Sequence, residues 1–328
     1  MISILKKNPV IVILTALLCS AALWMGNFLD PTQVSDDVPM MPLEFLLIQL
    51  VELNPLASTL CAFVFMYALA MLLLRLSNRN FVTQEAVYLP SLLFILICSA
   101  FPAQKWMNGA YVAALFFMAA LSSLFSVYRG EGKIYASLFY AGFCLSLASL
   151  FSAPAVFLLL LLPVALLLFR SPFQWREWVV ALVGTATPLL YAGVGYYILL
   201  DDFNLLFITY YSCLFSISNW IFENGRPIEW IYLVYILLVI LQAILMIIRG
   251  LFTSKVKVQK IHTLLLWAFF VLLVVSFVLP SGSMLLMPVF AIPASILAAN
   301  YFALTKFRTL ASIELLVLMV LTFLTQFL

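Results

Sequence analysis

The chain has 328 residues, of which 66% are hydrophobic and only 9% charged, against roughly 45–50% and about 25% in a soluble globular protein. Sixteen Lys and Arg against thirteen Asp and Glu leave a formal +3, too weak a balance to hold nucleic acid. No water-soluble fold covers so much apolar side chain with so few polar groups, so the expected class is an all-α polytopic membrane protein.

The chain opens on a short basic start, Met1 to Lys7, followed by an apolar stretch from Pro9 to about Leu29. No small-residue cleavage site closes that stretch convincingly, so a retained first membrane helix is expected. A helix crosses the ~30 Å hydrocarbon core in roughly 20 residues. On that ruler further spans fall near 56–74, 87–103, 110–127, 134–151, 154–169, 178–200, 228–248, 263–280, 284–304 and 309–327, about eleven in all. The span at 154–169 is short, and the Ser152-Ala153-Pro154 turn joins it to its predecessor as one hairpin. With no soluble domain and no convincing internal repeat, residues 1–328 read as a single transmembrane domain.

Charge sets the expected orientation. With the amino terminus cytoplasmic, the inner loops carry Arg75 and Arg79, Arg129 and Lys133, Arg170 and Arg176, the run Arg249 to Lys260, and Lys306 with Arg308. Of the sixteen basic residues only Lys105 and Arg226 then fall outside, an alternation that follows the positive-inside rule and puts the carboxyl terminus outside. Asp30, Asp36, Asp37, Glu44, Glu52, Asp201, Asp202, Glu223 and Glu229 all fall on the outer side. Two outer segments are long. Residues 30–55 contain an apolar stretch, Pro42 to Leu53, too short to span and expected at the interface. Residues 201–227 are aromatic, and Asp202 before Phe-Asn-Leu-Leu-Phe reads as the start of a helix on the bilayer surface.

The chemistry is thinner than the topology. Cys19, Cys61, Cys98, Cys144 and Cys213 lie in or beside apolar runs without close pairing, and His262 is the only histidine, so no metal or other cofactor is expected. The expected spans are almost bare of charge, apart from Glu314 near the inner end of the last, within reach of Arg308. That argues against ion-coupled transport. The better candidates are the outer acids. Asp30 directly follows the first helix and could act as a general base on a lipid headgroup, with Glu52, and Glu44 beside it, facing the same site. Lys105 and Arg226, with Asp201 and Asp202, would supply headgroup contacts. On the inner face, Arg170, Trp175, Arg176 and Trp178 crowd one loop, as a membrane anchor or a partner contact. Pro288 and Pro293 are expected to break the helix before Asn300-Tyr301-Phe302, either lining a cavity or kinking a packed segment.

Several stretches carry a resemblance. Tyr88-Leu89-Pro90-Ser91-Leu92-Leu93, Phe139-Tyr140-Ala141-Gly142-Phe143, Ala148 to Pro154, Ser171 to Trp178 and Ala299-Asn300-Tyr301-Phe302 resemble, as a set, an uncharacterised polytopic inner-membrane family of Bacteroidetes. That resemblance implies only a multi-pass bacterial inner-membrane protein. The acid just past the first helix, followed by an interfacial segment, is similar to membrane-embedded glycosyltransferases that use polyprenyl-phosphate sugars. That likeness implies an outer-face transferase with Asp30 as its base, and a polyprenyl-phosphate sugar among its membrane-lipid partners. Two other readings stay open: a structural subunit bound to a protein partner in a cell-envelope complex, and a transporter of lipid or a neutral small molecule.

Overall fold

A computed structural model describes residues 9–31, 40–51, 54–80, 88–101, 105–129, 134–169, 174–201, 204–215, 226–251, 256–279, 286–305 and 308–327. These are helical almost throughout. In chain order they form α1 (Pro9–Leu29), α2 (Pro42–Val51), α3 (Pro55–Asn80), α4 (Leu89–Ser99), α5 (Gly109–Arg129) and α6 (Ile134–Phe151). A 3₁₀ helix (Ala153–Leu160) leads into α7 (Leu161–Phe169), followed by α8 (Trp175–Leu200), α9 (Asn204–Phe215), α10 (Pro227–Leu251), α11 (Val256–Val278), α12 (Met287–Leu304) and α13 (Arg308–Phe327).

Each of the eleven apolar runs therefore holds a helical element, and the chain is a multi-spanning helical protein of membrane type. Among the described residues eight helices are long and apolar enough to cross a bilayer: α3, α5, α6, α8, α10, α11, α12 and α13. The other three expected spans are shorter apolar elements. Where a span was expected over 87–103, α4 has only 11 residues, about 16 Å of rise. It tolerates that length because all of its residues are buried by protein, so neither end has to meet lipid. The run at 154–169 is short only on an α-helical ruler. Eight residues of 3₁₀ helix and nine of α-helix together rise about 30 Å.

The centre of the bundle is α12, whose residues from Met287 to Ala303 are all buried. It packs on α4, α10, α5, α11 and α3. The expected break at Pro288 and Pro293 does not occur. Pro288 sits in the first turn, where its missing N–H costs nothing, and Pro293 is held inside a continuous helix. Around this centre α1 packs on α4, α3 and α13, while α6 joins α5 to α8 at the other side. α12 also meets the single histidine through a polar contact. The amide Nδ2 of Asn300 lies 2.9 Å from His262 Nε2. An amide nitrogen only donates, so Nε2 accepts, and the ring proton sits on Nδ1, 2.7 Å from the Val258 carbonyl.

Candidate functional site

The described residues form a cleft of about 1210 Å³ between α2, α6, α8 and α9. Its origin is readable in the glycines of α6 and α8. A Cβ on Gly142 would stand 2.7 Å from the Ala181 carbonyl oxygen, and one on Gly184 2.5 Å from that of Phe139. The two backbones thus touch at a crossing that only glycine permits, the small-residue packing of membrane helices. One turn later comes Pro188, inside α8. It has no N–H for the Gly184 carbonyl, which frees that carbonyl inside the helix. From Pro188 onward α8 lines the cleft. Phe143, Leu147 and Leu150 of α6 face Tyr191, Gly195 and Tyr196 of α8 across it. A Cβ on Gly195 would meet nothing within 4 Å.

Two short helices close the remaining sides. The first turn of α2 carries Pro42 and Glu44, both favourable at a helix start. Its Phe45, Leu46 and Gln49 line the cleft, while Glu44 on another face points into the bundle. Glu44 Oε1 accepts the Gly109 N–H at 2.9 Å, which caps α5 from a residue 65 positions away. The fit is tight. A Cβ on Gly109 would fall 2.0 Å from the Phe151 carbonyl oxygen. Burial pushes the Glu44 carboxyl up to about 7, against the pull of the Gly109 and Met41 N–H groups. The second short helix, α9, is pinned by Tyr210. Its hydroxyl is 2.9 Å from Ser149 Oγ, and Ser149 in turn donates to the Ser146 carbonyl at 2.7 Å. Thr209 of α9 lines the cleft, its hydroxyl already given to the Leu205 carbonyl.

The residues singled out in the sequence lie elsewhere. Asp30 is exposed at the end of α1, its N–H donated to the Gly26 carbonyl at 2.9 Å. Lys105 turns inward and is 0% exposed. Its Nζ donates to the Leu23 carbonyl at 2.6 Å and to Gln326 Oε1, and lies 5.9 Å from the centre of the Trp24 ring. Trp24 Nε1 and Gln326 Nε2 both reach Ser99, at its Oγ and carbonyl, 3.0 Å each. This network ties α1, α4 and α13 together, and burial lowers the Lys105 ammonium to about 7. Arg226 is exposed and starts α10, its N–H donated to Glu229 Oε2 at 3.2 Å. Asp201 is exposed and ends α8 at φ 55°, a left-handed cap that Asp tolerates better than most residues. Asp30, Lys105 and Arg226 therefore do not line one cavity. Glu52, Asp202 and Arg170 lie outside the described residues.

In the inner-loop group, Trp175 is exposed with the Arg176 guanidinium 5.9 Å from its ring centre. Trp178 is half-buried against the small cluster of Val127, Leu138, Leu166 and Ala181. In the first half of α13, Glu314 offers its backbone carbonyl to Tyr235 at 2.9 Å, while its Oε2 is buried without a hydrogen-bond partner. Among the described residues no three His, Cys, Asp or Glu side chains group closely enough to hold a metal ion. Comparison with family models, curated proteins and solved structures finds no match.

Proposed function

We propose that this chain crosses a bacterial inner membrane eleven times, amino terminus cytoplasmic, and draws a membrane lipid into the cleft between α2, α6, α8 and α9. The distribution of Lys and Arg supports the orientation. The helix contacts are consistent with it. Leu23, Ser99, Lys105 and Gln326 meet at one level, as do Glu44, Gly109 and Phe151, and on this topology every one of them is at the outer end of its helix.

The cleft carries the functional reading. Ligand pockets typically measure about 300–1,000 Å³, and this one exceeds that range with walls that are mostly hydrocarbon. It also borders lipid, because α8 exposes Leu190, Tyr191, Val194, Tyr197 and Ile198 along the same half of its length. An apolar void of this size facing the bilayer fills with chains at little cost, since a lipid tail trades one hydrocarbon environment for another. Outer-face transfer with Asp30 as general base and transport of a lipid both require a lipid held at this level, and the cleft supports that shared requirement.

The test compares two glycines with no neighbour within 4 Å of a Cβ, Gly195 in the cleft and Gly26 on α1. Protein extracted in native lipid is analysed by native mass spectrometry. The expected result is a lipid adduct on the wild type and on Gly26→Trp, lost from Gly195→Trp. A wild type that carries no adduct, or an adduct equal in all three, overturns the reading.

A further inference from the structure

Resting on that reading, we infer that the lipid taken into the cleft carries no net negative charge: a zwitterionic aminophospholipid or an uncharged glyceride, held by its chains. The argument begins with the segments that build the walls. Residues 8–74 and 177–225, which supply α2, α9 and all of α8 beyond Arg176, contain no Lys or Arg, and neither do residues 134–169 around α6. Those same segments carry Asp30, Asp36, Asp37, Glu44 and Glu52 on one side and Asp201, Asp202 and Glu223 on the other. A lipid phosphate is normally met by Arg or Lys, or by the N–H groups of a free helix N-terminus.

No Lys or Arg is among the residues that line the cleft. Of the two outer-face cations, Lys105 is enclosed by Leu23, Gln326 and Trp24, and Arg226 begins α10, a helix that packs on α12, α13 and α11. Of the helix N-termini at this level, that of α5 is taken by Glu44, and that of α2 carries Glu44 in its first turn.

Both long walls end at the same rim, α6 at Phe151 just past the lining residue Leu150, and α8 at Leu200 just past Tyr196. Their C-termini are offset there by the starts of the 3₁₀ helix at Ala153 and of α9 at Asn204, so acidic side chains set the sign of the rim. Asp201 adds a full charge where α8 ends. The side chains that do line the cleft and carry polar atoms, Gln49, Tyr191, Tyr196 and Thr209, are uncharged. The head at this rim meets uncharged hydrogen-bonding groups in a negative field. An ammonium or hydroxyl is welcome there and a net anion is repelled. This separates the cleft from a carrier phosphate.

The experiment reconstitutes the full chain in nanodiscs of equal phosphatidylethanolamine and phosphatidylglycerol, then releases it and weighs the retained lipid by native mass spectrometry. The expected result is at least about fivefold enrichment of phosphatidylethanolamine over phosphatidylglycerol at low salt. The enrichment falls when salt is raised to screen the rim, and falls in Asp201→Asn, a change that keeps the left-handed cap. Gly195→Trp removes the selectively retained lipid. Equal retention of the two lipids, or preference for phosphatidylglycerol, overturns the inference while leaving lipid binding intact. Retention of neither lipid overturns the inference and the lipid-binding reading together.

Discussion

The α4–α12 centre and the α6–α8 pair are built from equally apolar sequence and end in opposite states. In α12 every residue from Met287 to Ala303 is buried, and α4 is buried along its whole length. In α8 less than a quarter of the spanning window is buried (22%), and its second half lines a cleft together with α6, α2 and α9. What separates them is the placement of glycine and what packs around it. At the centre Pro288 lies in a first turn and Pro293 inside the helix, and α12 runs unbroken through both. In α8 Pro188 follows one turn after the Gly184 crossing, and from that proline onward the helix lines the cleft. The centre gives the bundle its stability, and the α6–α8 pair gives it a place to hold something.

The sharpest way to break this contrast is to force side chains into the backbone contacts. Gly109→Ala places a methyl 2.0 Å from the Phe151 carbonyl oxygen, and Gly184→Leu drives α8 off Phe139. Overpacking costs typically about 1–3 kcal/mol and more where backbone must move. Both variants are expected to lose the monodisperse peak in size-exclusion chromatography, whereas Gly195→Leu, in open space, is expected to keep it.

Next in size is the clasp at Lys105. Lys105→Met leaves the buried Gln326 carbonyl without its donor, and about 1–3 kcal/mol of stability is expected to go. Asp30→Ala, at an exposed position, is expected to stay within about 0.5 kcal/mol of the wild type. Thermal unfolding in detergent separates the two. The pH dependence sharpens the same point. Folded Lys105 loses its proton near 7 instead of 10.5, so between those values the unfolded chain binds more protons and stability rises with pH. Folded Glu44 keeps its proton to about 7 instead of 4.5, so from 4.5 to 7 the folded chain binds more and stability falls as pH rises. Together they give a minimum near neutrality. Lys105→Met is expected to flatten the alkaline arm and Glu44→Gln the acidic one.

The smallest effect expected is at the lid of the cleft. Tyr210→Phe removes the bond to Ser149 that holds α9 on α6, worth about 0.5–1.5 kcal/mol. Faster amide exchange confined to α9 is the expected signature, with the centre unchanged.

Much of the fold was legible because hydropathy is a local property. All eleven apolar runs hold helical elements, and the apolar stretches expected at the two long outer segments are the helices α2 and α9. The length of α4 was not legible, because a run of apolar residues reads alike whether lipid or protein surrounds it. The cleft was hidden for a different reason. It depends on Gly142 meeting Ala181 and Gly184 meeting Phe139 between distant helices, and on Pro188 standing one turn beyond, a coincidence of register that no single segment displays. Lys105 shows the same limit. Its place between two helices was readable, but its partners, Leu23 and Gln326, lie 82 and 221 positions away. Glu44 was noted only as a companion of Glu52, and its role as the cap of α5 depends on a residue 65 positions on.

The most direct test of the central claim is a density map of the protein in native-lipid discs, examined between α6 and α8 above Pro188. The account predicts an elongated, chain-shaped density against Phe143, Leu147 and Tyr191, absent from the Gly195→Trp protein. A map in which α8 closes onto α6 along its whole length, leaving no space and no density there, would contradict it.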